Sequence, residues 1–269
     1  MKASNIIITS ASNAHVKKAV LLQKKRRERE QSGLFLAEGI RLFQEIPKEQ
    51  LEEVFVSERF LEREDAADVL EGTPQDKIYT VKDSVFEGMC DTKSPQGILA
   101  LVRRKERTLE EILSLSENPF FMMAENLQDP GNLGTILRTG EGAGITALIL
   151  SKGTVDMYSP KVTRSTMGSL FRVPFVYVED MAAAVLELRS RGISVYAAHL
   201  EGSVPYDEPE YQKPSAILIG NEGNGLTEET ASVCSRRVRI PMEGKVESLN
   251  AAMSAGIFMY EVYRQRRLV

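Results

Sequence analysis

Three stretches in the second half of the chain collect the residue types that chemistry uses. The first, residues 125–139 (ENLQDPGNLGTILRT), follows an apolar run that reads as a strand and opens a helix over 133–143. Asn132 is a good N-cap there, and Leu133, Ile136 and Leu137 form a buried stripe at helical spacing. The loop therefore stands at the carboxyl end of a strand, where open α/β sheets place ligands. Arg138 follows Gly134 by one turn, and its fixed fork of donors suits a phosphate or an oxyanion. A capped helix with a surface arginine would account for the same spacing. The second stretch, residues 219–226 (IGNEGNGL), sets three glycines after a buried strand, which lets backbone approach a ligand closely. Its order is G-x-x-G-x-G rather than G-x-G-x-x-G, so a nucleotide-dependent oxidoreductase is only weakly supported. The third, residues 240–256 (IPMEGKVESLNAAMSAG), offers Ser248 as N-cap of a last helix running from 249 towards 267. That helix opens with small residues, against which another chain segment can pack closely.

The elements that must position these loops alternate between strand and helix. Strands are expected at 120–124, 147–150, 175–178, 193–198, 216–219 and 238–240, with helices between them, which predicts a mostly parallel sheet covered on both faces. A smaller α/β series precedes it: a basic helix from Ser12 or Asn13 to about residue 29, strands at 34–37, 54–56, 78–81 and 97–102, and a helix over 58–70 among others. Residues 106–118 turn highly charged and read as a linker. The expected organisation is a first domain at 1–105, the linker at 106–118, and a second domain at 119–269.

With 269 residues, 42% of them hydrophobic, the chain has enough apolar material for a packed core. No apolar run approaches the roughly 18 residues of a membrane span, and residues 1–10 lack a signal-peptide pattern, so a cytoplasmic address is expected. Two cysteines without CxxC spacing and only two histidines speak against a disulfide framework, a metal centre and a histidine triad. The net charge of −4 hides a polarity. Residues 1–30 carry eight Lys/Arg, including Lys2, Lys17, Lys18, Lys24, Lys25, Arg26 and Arg27, against two Glu. Such a patch is the footprint of a polyanion partner, although charge runs are often no more than solvated faces.

Together, in order and spacing, DPGNLGTILRT, LIGNEGNGL and IPMEGKVESLNAAMSAG resemble the SpoU/TrmH family of S-adenosylmethionine-dependent RNA ribose 2′-O-methyltransferases, in the SPOUT superfamily. The segment SPKVTRSTMGSLFRVP (159–174) is similar to the family's intervening stretch, so the resemblance covers about 150 C-terminal residues. Within residues 20–105, FLAEGIRL and SPQGILAL resemble the family's ribosomal-protein-like substrate-binding domain. The resemblance implies a deep trefoil knot in the C-terminal α/β domain, which pattern reasoning alone would reject because knots are nearly absent from proteins. It also implies a homodimer with its active site near the subunit interface. Carried over by position, backbone at Gly220, Ile240 and Leu249 would hold S-adenosylmethionine, with Asn221 and Met242 close by. Asn132, Arg138, Glu222, Ser248 and Asn250 match the polar active-site positions. Ala251-Ala252 departs from the Val-Ser of many relatives.

Methyl transfer from a sulfonium asks for in-line approach and loss of the hydroxyl proton, with no metal. The family proposal makes Arg138 the base. A guanidinium hardly ever gives up its proton, so the reading adopted is that Arg138 stabilises charge developing on the ribose oxygen. RNA would lie on the basic N-terminal face. By analogy with the branch that carries a separate substrate domain, 23S ribosomal RNA is the expected substrate. Transfer RNA, or a non-catalytic RNA-binding relative, is the alternative.

Overall fold

The computed structural model describes residues 7–267, so Lys2 lies outside the described residues. The chain forms two compact units: Met1–Lys105 together with Asp156–Phe171, and Glu106–Val155 together with Arg172–Val269.

The first unit contains β1 (Ile7–Ile8), α1 (Ala14–Lys24), α2 (Arg26–Ser32), β2 (Leu34–Glu38), α3 (Ile40–Gln44), β3 (Leu51–Ser57), α4 (Glu58–Leu61), α5 (Ala66–Val69), β4 (Ile78–Val81), α6 (Asp83–Glu87) and β5 (Ile98–Arg103). The sheet order is β1-β4-β3-β5-β2. β1, β4 and β3 are parallel, and β5 runs antiparallel to both β3 and β2, so β2 points the same way as β3. The basic helix expected as one piece is two. Asn13 caps α1, Lys25 leaves helical space (φ −120, ψ 116), and Gly33 closes α2 in the left-handed region. The break has a physical cause in Arg29. Its guanidinium donates from Nη1 to the Leu22 (2.6 Å) and Gln23 (3.3 Å) carbonyls at the end of α1, and from Nε to Asp156 Oδ2 (2.7 Å). One side chain thus satisfies carbonyls that the helix end leaves open and also neutralises a buried carboxylate. The expected helix over 58–70 is likewise divided, into α4 and α5.

Both partners of that ion pair are nearly inaccessible, at 5% and 10%. Arg29→Ala should therefore lower stability by about 3–5 kcal/mol, because it strands a buried charge as well as deleting a bond. Denaturant unfolding checks this, and a loss below about 1 kcal/mol would contradict it.

Residues 156–171, inside the expected second domain, pack with the first unit. Tyr158 lies 4.7 Å from the Phe35 ring and its hydroxyl donates to the Lys105 carbonyl (3.1 Å), while Arg164 reaches Asp91 (2.5 Å). This segment carries α9 (Pro160–Ser165), and α10 (Ser169–Arg172) ends it.

The second unit holds α7 (Leu109–Leu113), β6 (Phe120–Ala124), α8 (Pro130–Ala143), β7 (Ala147–Ser151), β8 (Phe175–Val178), α11 (Met181–Ser190), β9 (Ser194–Ala198), β10 (Val204–Pro205), β11 (Ser215–Ile219), α12 (Glu228–Ser232), β12 (Arg236–Arg239) and α13 (Ala251–Arg266). Its seven strands, in the order β10-β12-β9-β11-β6-β7-β8, are all parallel. β6, β7 and β11 are buried at every position, which is why they read as unbroken apolar runs rather than alternating ones. The charged stretch 106–118, expected as a linker, carries α7. A reciprocal Thr108–Glu111 capping box starts that helix, and its Ile112 and Leu113 enter the core beside Phe121, Met123, Leu188 and Leu218. At the far end of α13, Arg266 donates to the carbonyls of Tyr211, Asn118, Pro119 and Lys213 at 2.9–3.0 Å, fixing the last helix to the start of the sheet.

Candidate active site

β6 and β11 lie side by side in register, Ala124 beside Ile219, so the loops that leave them emerge together. Glu222, from the second loop, accepts from the Gln128 amide (3.0 Å), the Asp129 amide (2.9 Å) and Asn132 Nδ2 (3.0 Å) of the first. Asn132 Oδ1 in turn accepts from Asn250 Nδ2 (2.9 Å), and Asn250 Oδ1 accepts from the Ala252 (2.9 Å) and Met253 (3.3 Å) amides. One polar chain therefore joins all three motifs. Its direction is not free: a carboxylate only accepts and a backbone amide only donates, so both asparagine side chains have a single consistent orientation. Burial opposes the charge of Glu222, but the Gln128 and Asp129 amides and Asn132 outweigh it and hold its carboxyl below the usual carboxylate range. The order it imposes is thus present at neutral pH and lost as pH falls through that depressed value.

Two cap assignments differ from expectation. Asp129, not Asn132, caps α8, its Oδ1 accepting from the Asn132 amide (2.8 Å) with Pro130 as first helical residue. Asn132 is already inside the helix, buried, and its side chain is committed to Glu222 and Asn250. At the last helix Asn250, not Ser248, is the cap, because the helix begins two residues later than expected.

The glycine loop is held from within. The Asn221 amide donates to the Gly225 carbonyl and the Gly225 amide to the Asn221 carbonyl, both at 2.9 Å. Asn221 Oδ1 accepts from the Gly223 (2.9 Å) and Asn224 (3.0 Å) amides, and its Nδ2 donates to the Asn126 carbonyl (2.8 Å). The Asn221 side chain, expected close to the cofactor, is spent on the turn. A Cβ at Gly220 would collide with the Gly225 carbonyl and the Leu226 amide, so what approaches this glycine so closely is the chain itself.

Two residues that sequence reasoning missed hold the base of the site. Glu125, only 5% exposed, accepts from the Thr227 amide (2.8 Å) and from the hydroxyls of Thr227 (3.0 Å) and Thr230 (2.5 Å), tying α12 to the end of β6. Asn126 adopts φ 54; its backbone amide donates to Ser151 Oγ (2.8 Å), and the Ser151 hydroxyl donates to Asn126 Oδ1 (3.1 Å). Asp129 followed by Pro130 was itself a helix-start signal. Glu125 offered none, as its partners lie about a hundred residues away.

Arg138 stands on α8, exposed, and forms no hydrogen bond or ion pair among the described residues. Ser248 and Leu249 are exposed, while Ile240 and Met242 are half-buried. None of residues 241–249 makes a hydrogen bond to the described residues, so a whole loop of unspent main-chain donors and acceptors runs between apolar Ile240, Met242 and Leu249. Backbone polarity interleaved with apolar side chains fits a ligand with an adenine base and an amino-acid tail. Burial pushes the thiols up, Cys234 to about 12, so neither cysteine is a poised nucleophile.

Residues 119–260 match the model of the SpoU rRNA Methylase family. The chain belongs to that family. Residues 13–100 match the MRM3-like substrate binding domain. The chain is similar to the 23S rRNA (guanosine(2553)-2'-O)-methyltransferase RlmP of Bacillus subtilis (strain 168), with 32% identity covering 95% of this chain and 98% of the relative. It is similar in structure to the SpoU methyltransferase AviRb from Streptomyces viridochromogenes (TM-score 0.83, 26% identity, 95% and 98% of the two chains). It is also similar to an AdoMet-bound rRNA methyltransferase from Sinorhizobium meliloti (TM-score 0.81, 31% identity, 96% and 97%). The all-parallel second unit thus has the α/β fold of SpoU methyltransferases, preceded by a substrate-binding unit.

Proposed function

We propose that this protein transfers a methyl group from S-adenosylmethionine to the ribose 2′-hydroxyl of a nucleotide in 23S ribosomal RNA. The observation that carries this reading is the polar chain Glu222–Asn132–Asn250, which locks three family motifs together on the helix that also presents Arg138. When bound, the cofactor supplies an electrophilic methyl on a sulfonium. The residues of the chain do the rest. Backbone at Gly220, Ile240 and Leu249 and the side chain of Met242 hold the adenosine and methionine parts. Asn221 acts by shaping the loop, and Glu222 by fixing the amides of Gln128 and Asp129. Asn132 and Asn250 orient the ribose side of the pocket, with Ser248 beside them in the open loop. Arg138, whose charge no carboxylate of the described residues cancels, stabilises the negative charge that grows on the 2′-oxygen as its proton leaves to solvent, and grips a neighbouring phosphate.

The trefoil knot belongs to the same proposal. Its support is that loops 125–132, 220–226 and 240–250, the ones a knot would interlace, are joined by that single polar chain. A homodimer is supported by Met253 (62% exposed), Tyr260 (50%) and Tyr263 (41%), an unpartnered face of α13 whose opposite side buries Ala255, Phe258 and Val262. A cytoplasmic address follows from a ribosomal substrate. Among the described residues no helix is long and apolar enough to cross a membrane, and no group of three or more His, Cys, Asp or Glu could hold a metal. Calorimetric titration tests the cofactor: S-adenosylhomocysteine binds and NAD does not, whereas NAD binding would favour an oxidoreductase.

RNA lies on the elbow between α1 and α2, where Lys24, Lys25, Arg26 and Arg27 are consecutive and exposed, with Lys17 exposed on α1. Two of the expected contacts are already engaged: Lys18 pairs with Glu53 (2.8 Å) and Arg26 with Glu30 (2.7 Å). Deleting residues 1–30 would remove buried Val16, Ala19, Leu22 and Arg29, so substitution is the cleaner test. Changing Lys24, Lys25 and Arg27 to Gln should weaken RNA binding and flatten the log–log salt slope by about 2–3, with cofactor affinity unchanged. An unaltered slope would remove the elbow from the interface.

A further inference from the structure

At the carboxyl edge of the first unit's parallel strands, a cleft of about 470 Å³ opens between α4, α6 and the loop that leads into β5. Ligand sites in open α/β sheets favour this edge, and the volume falls in the range of about 300–1,000 Å³ typical of small-molecule sites. The cleft is built, not incidental. Gly97 (φ +85) lets the loop press onto α4 so closely that a Cβ there would strike Phe60 and the Ser57 hydroxyl. Phe60 and Phe86, both almost wholly buried, back a lining that is mostly polar.

Its rim carries an unusual combination. Arg59 is 73% exposed yet held in place, with Nε 3.1 Å from Asp83 Oδ2 and Nη1 3.6 Å from Glu87 Oε1. A guanidinium pinned along its edge by two carboxylates keeps its flat face open. Gln96 is oriented as well: its Oε1 accepts from the Ile40 amide (2.8 Å), which leaves Nε2 as a donor without a partner among the described residues. Lys93 makes no ion pair among the described residues. A phosphate alone would have to displace two carboxylates to reach Arg59. A planar base needs only its face, and Gln96 and Lys93 then meet the base edge and the adjoining phosphate.

We propose that this cleft binds one unpaired purine base of RNA, stacked on Arg59, with its phosphate towards Lys93. A purine gains more than a pyrimidine because its π-face is larger. The proposal rests on the reading of the protein as an RNA methyltransferase and adds how its substrate unit reads RNA beyond charge.

The test uses the full-length chain and fluorescent pentauridine carrying a single central uridine, adenosine or guanosine, measured by anisotropy at low salt. The purine-centred oligonucleotides should bind about fivefold more tightly than pentauridine. Arg59→Lys, which keeps the charge and loses the plane, should erase that preference, weakening the purine-centred oligonucleotides more than pentauridine and leaving the salt slope in place. Lys93→Ala should weaken all three alike. Equal binding of the three by the wild type, or a preference that survives Arg59→Lys, would overturn the proposal. Methyl incorporation into ribosomal RNA by the wild type is measured alongside. Normal transfer without a purine preference sinks only the cleft, whereas absent transfer sinks the enzymatic reading.

Discussion

Arg138→Ala is expected to slow methyl transfer by about 10²–10³-fold, the usual effect of removing a donor aimed at a developing oxyanion. Cofactor affinity and stability should stay near wild type, because the side chain is exposed and makes no hydrogen bond or ion pair to the described residues. Single-turnover rates with saturating cofactor measure this. The conservative change separates two accounts of the same residue. If Arg138 acted as a base, Arg138→Lys would recover near-wild-type rate at alkaline pH, where an amine titrates. If it stabilises charge through its planar fork, the loss is the same at every pH. The second outcome is expected, since a guanidinium keeps its proton across the working range of proteins.

Gly220→Ala should weaken S-adenosylhomocysteine binding by about 100-fold, roughly 2.7 kcal/mol. The added Cβ cannot coexist with the Gly225 carbonyl and the Leu226 amide, so the paired Asn221–Gly225 turn must open and shift the backbone at the end of β11. Gly223→Ala is the internal control: three residues along the same loop, its Cβ would meet only Asn221 Oδ1, at 3.6 Å. That variant should bind as the wild type does. Equal affinities for Gly220→Ala and the wild type would mean that this turn does not shape the cofactor site.

Much of the second unit was legible from residues alone. β6, β7, β8 and β11 are short apolar runs bounded by turn residues, and the complete burial of β6, β7 and β11 is what an all-parallel sheet demands. Positions that depend on distant partners were not. Asn132 reads as a cap because asparagine favours caps, but its place inside α8 is decided by Glu222 and Asn250, 90 and 118 residues away. The elbow at Lys25 and the placement of residues 156–171 with the first unit both involve Arg29, which bonds the end of α1 and pairs with Asp156 across 127 residues. The core contribution of the charged stretch 106–118 was hidden for a local reason: its charges face outward on α7 while Ile112 and Leu113 enter the core. Resemblance supplied what pattern could not, namely that three singly ambiguous loops form one site.

The central claim is that the three motifs joined on the Arg138 helix deliver a methyl group to a ribose oxygen of ribosomal RNA. The most direct measurement incubates the purified chain with radiolabelled S-adenosylmethionine and unmodified 23S rRNA, then maps ribose methylation by its block to alkaline cleavage. A single protected linkage, present with the wild type and missing with Arg138→Ala, is the predicted result. Label found on a base, on many scattered riboses, or undiminished in Arg138→Ala would contradict it.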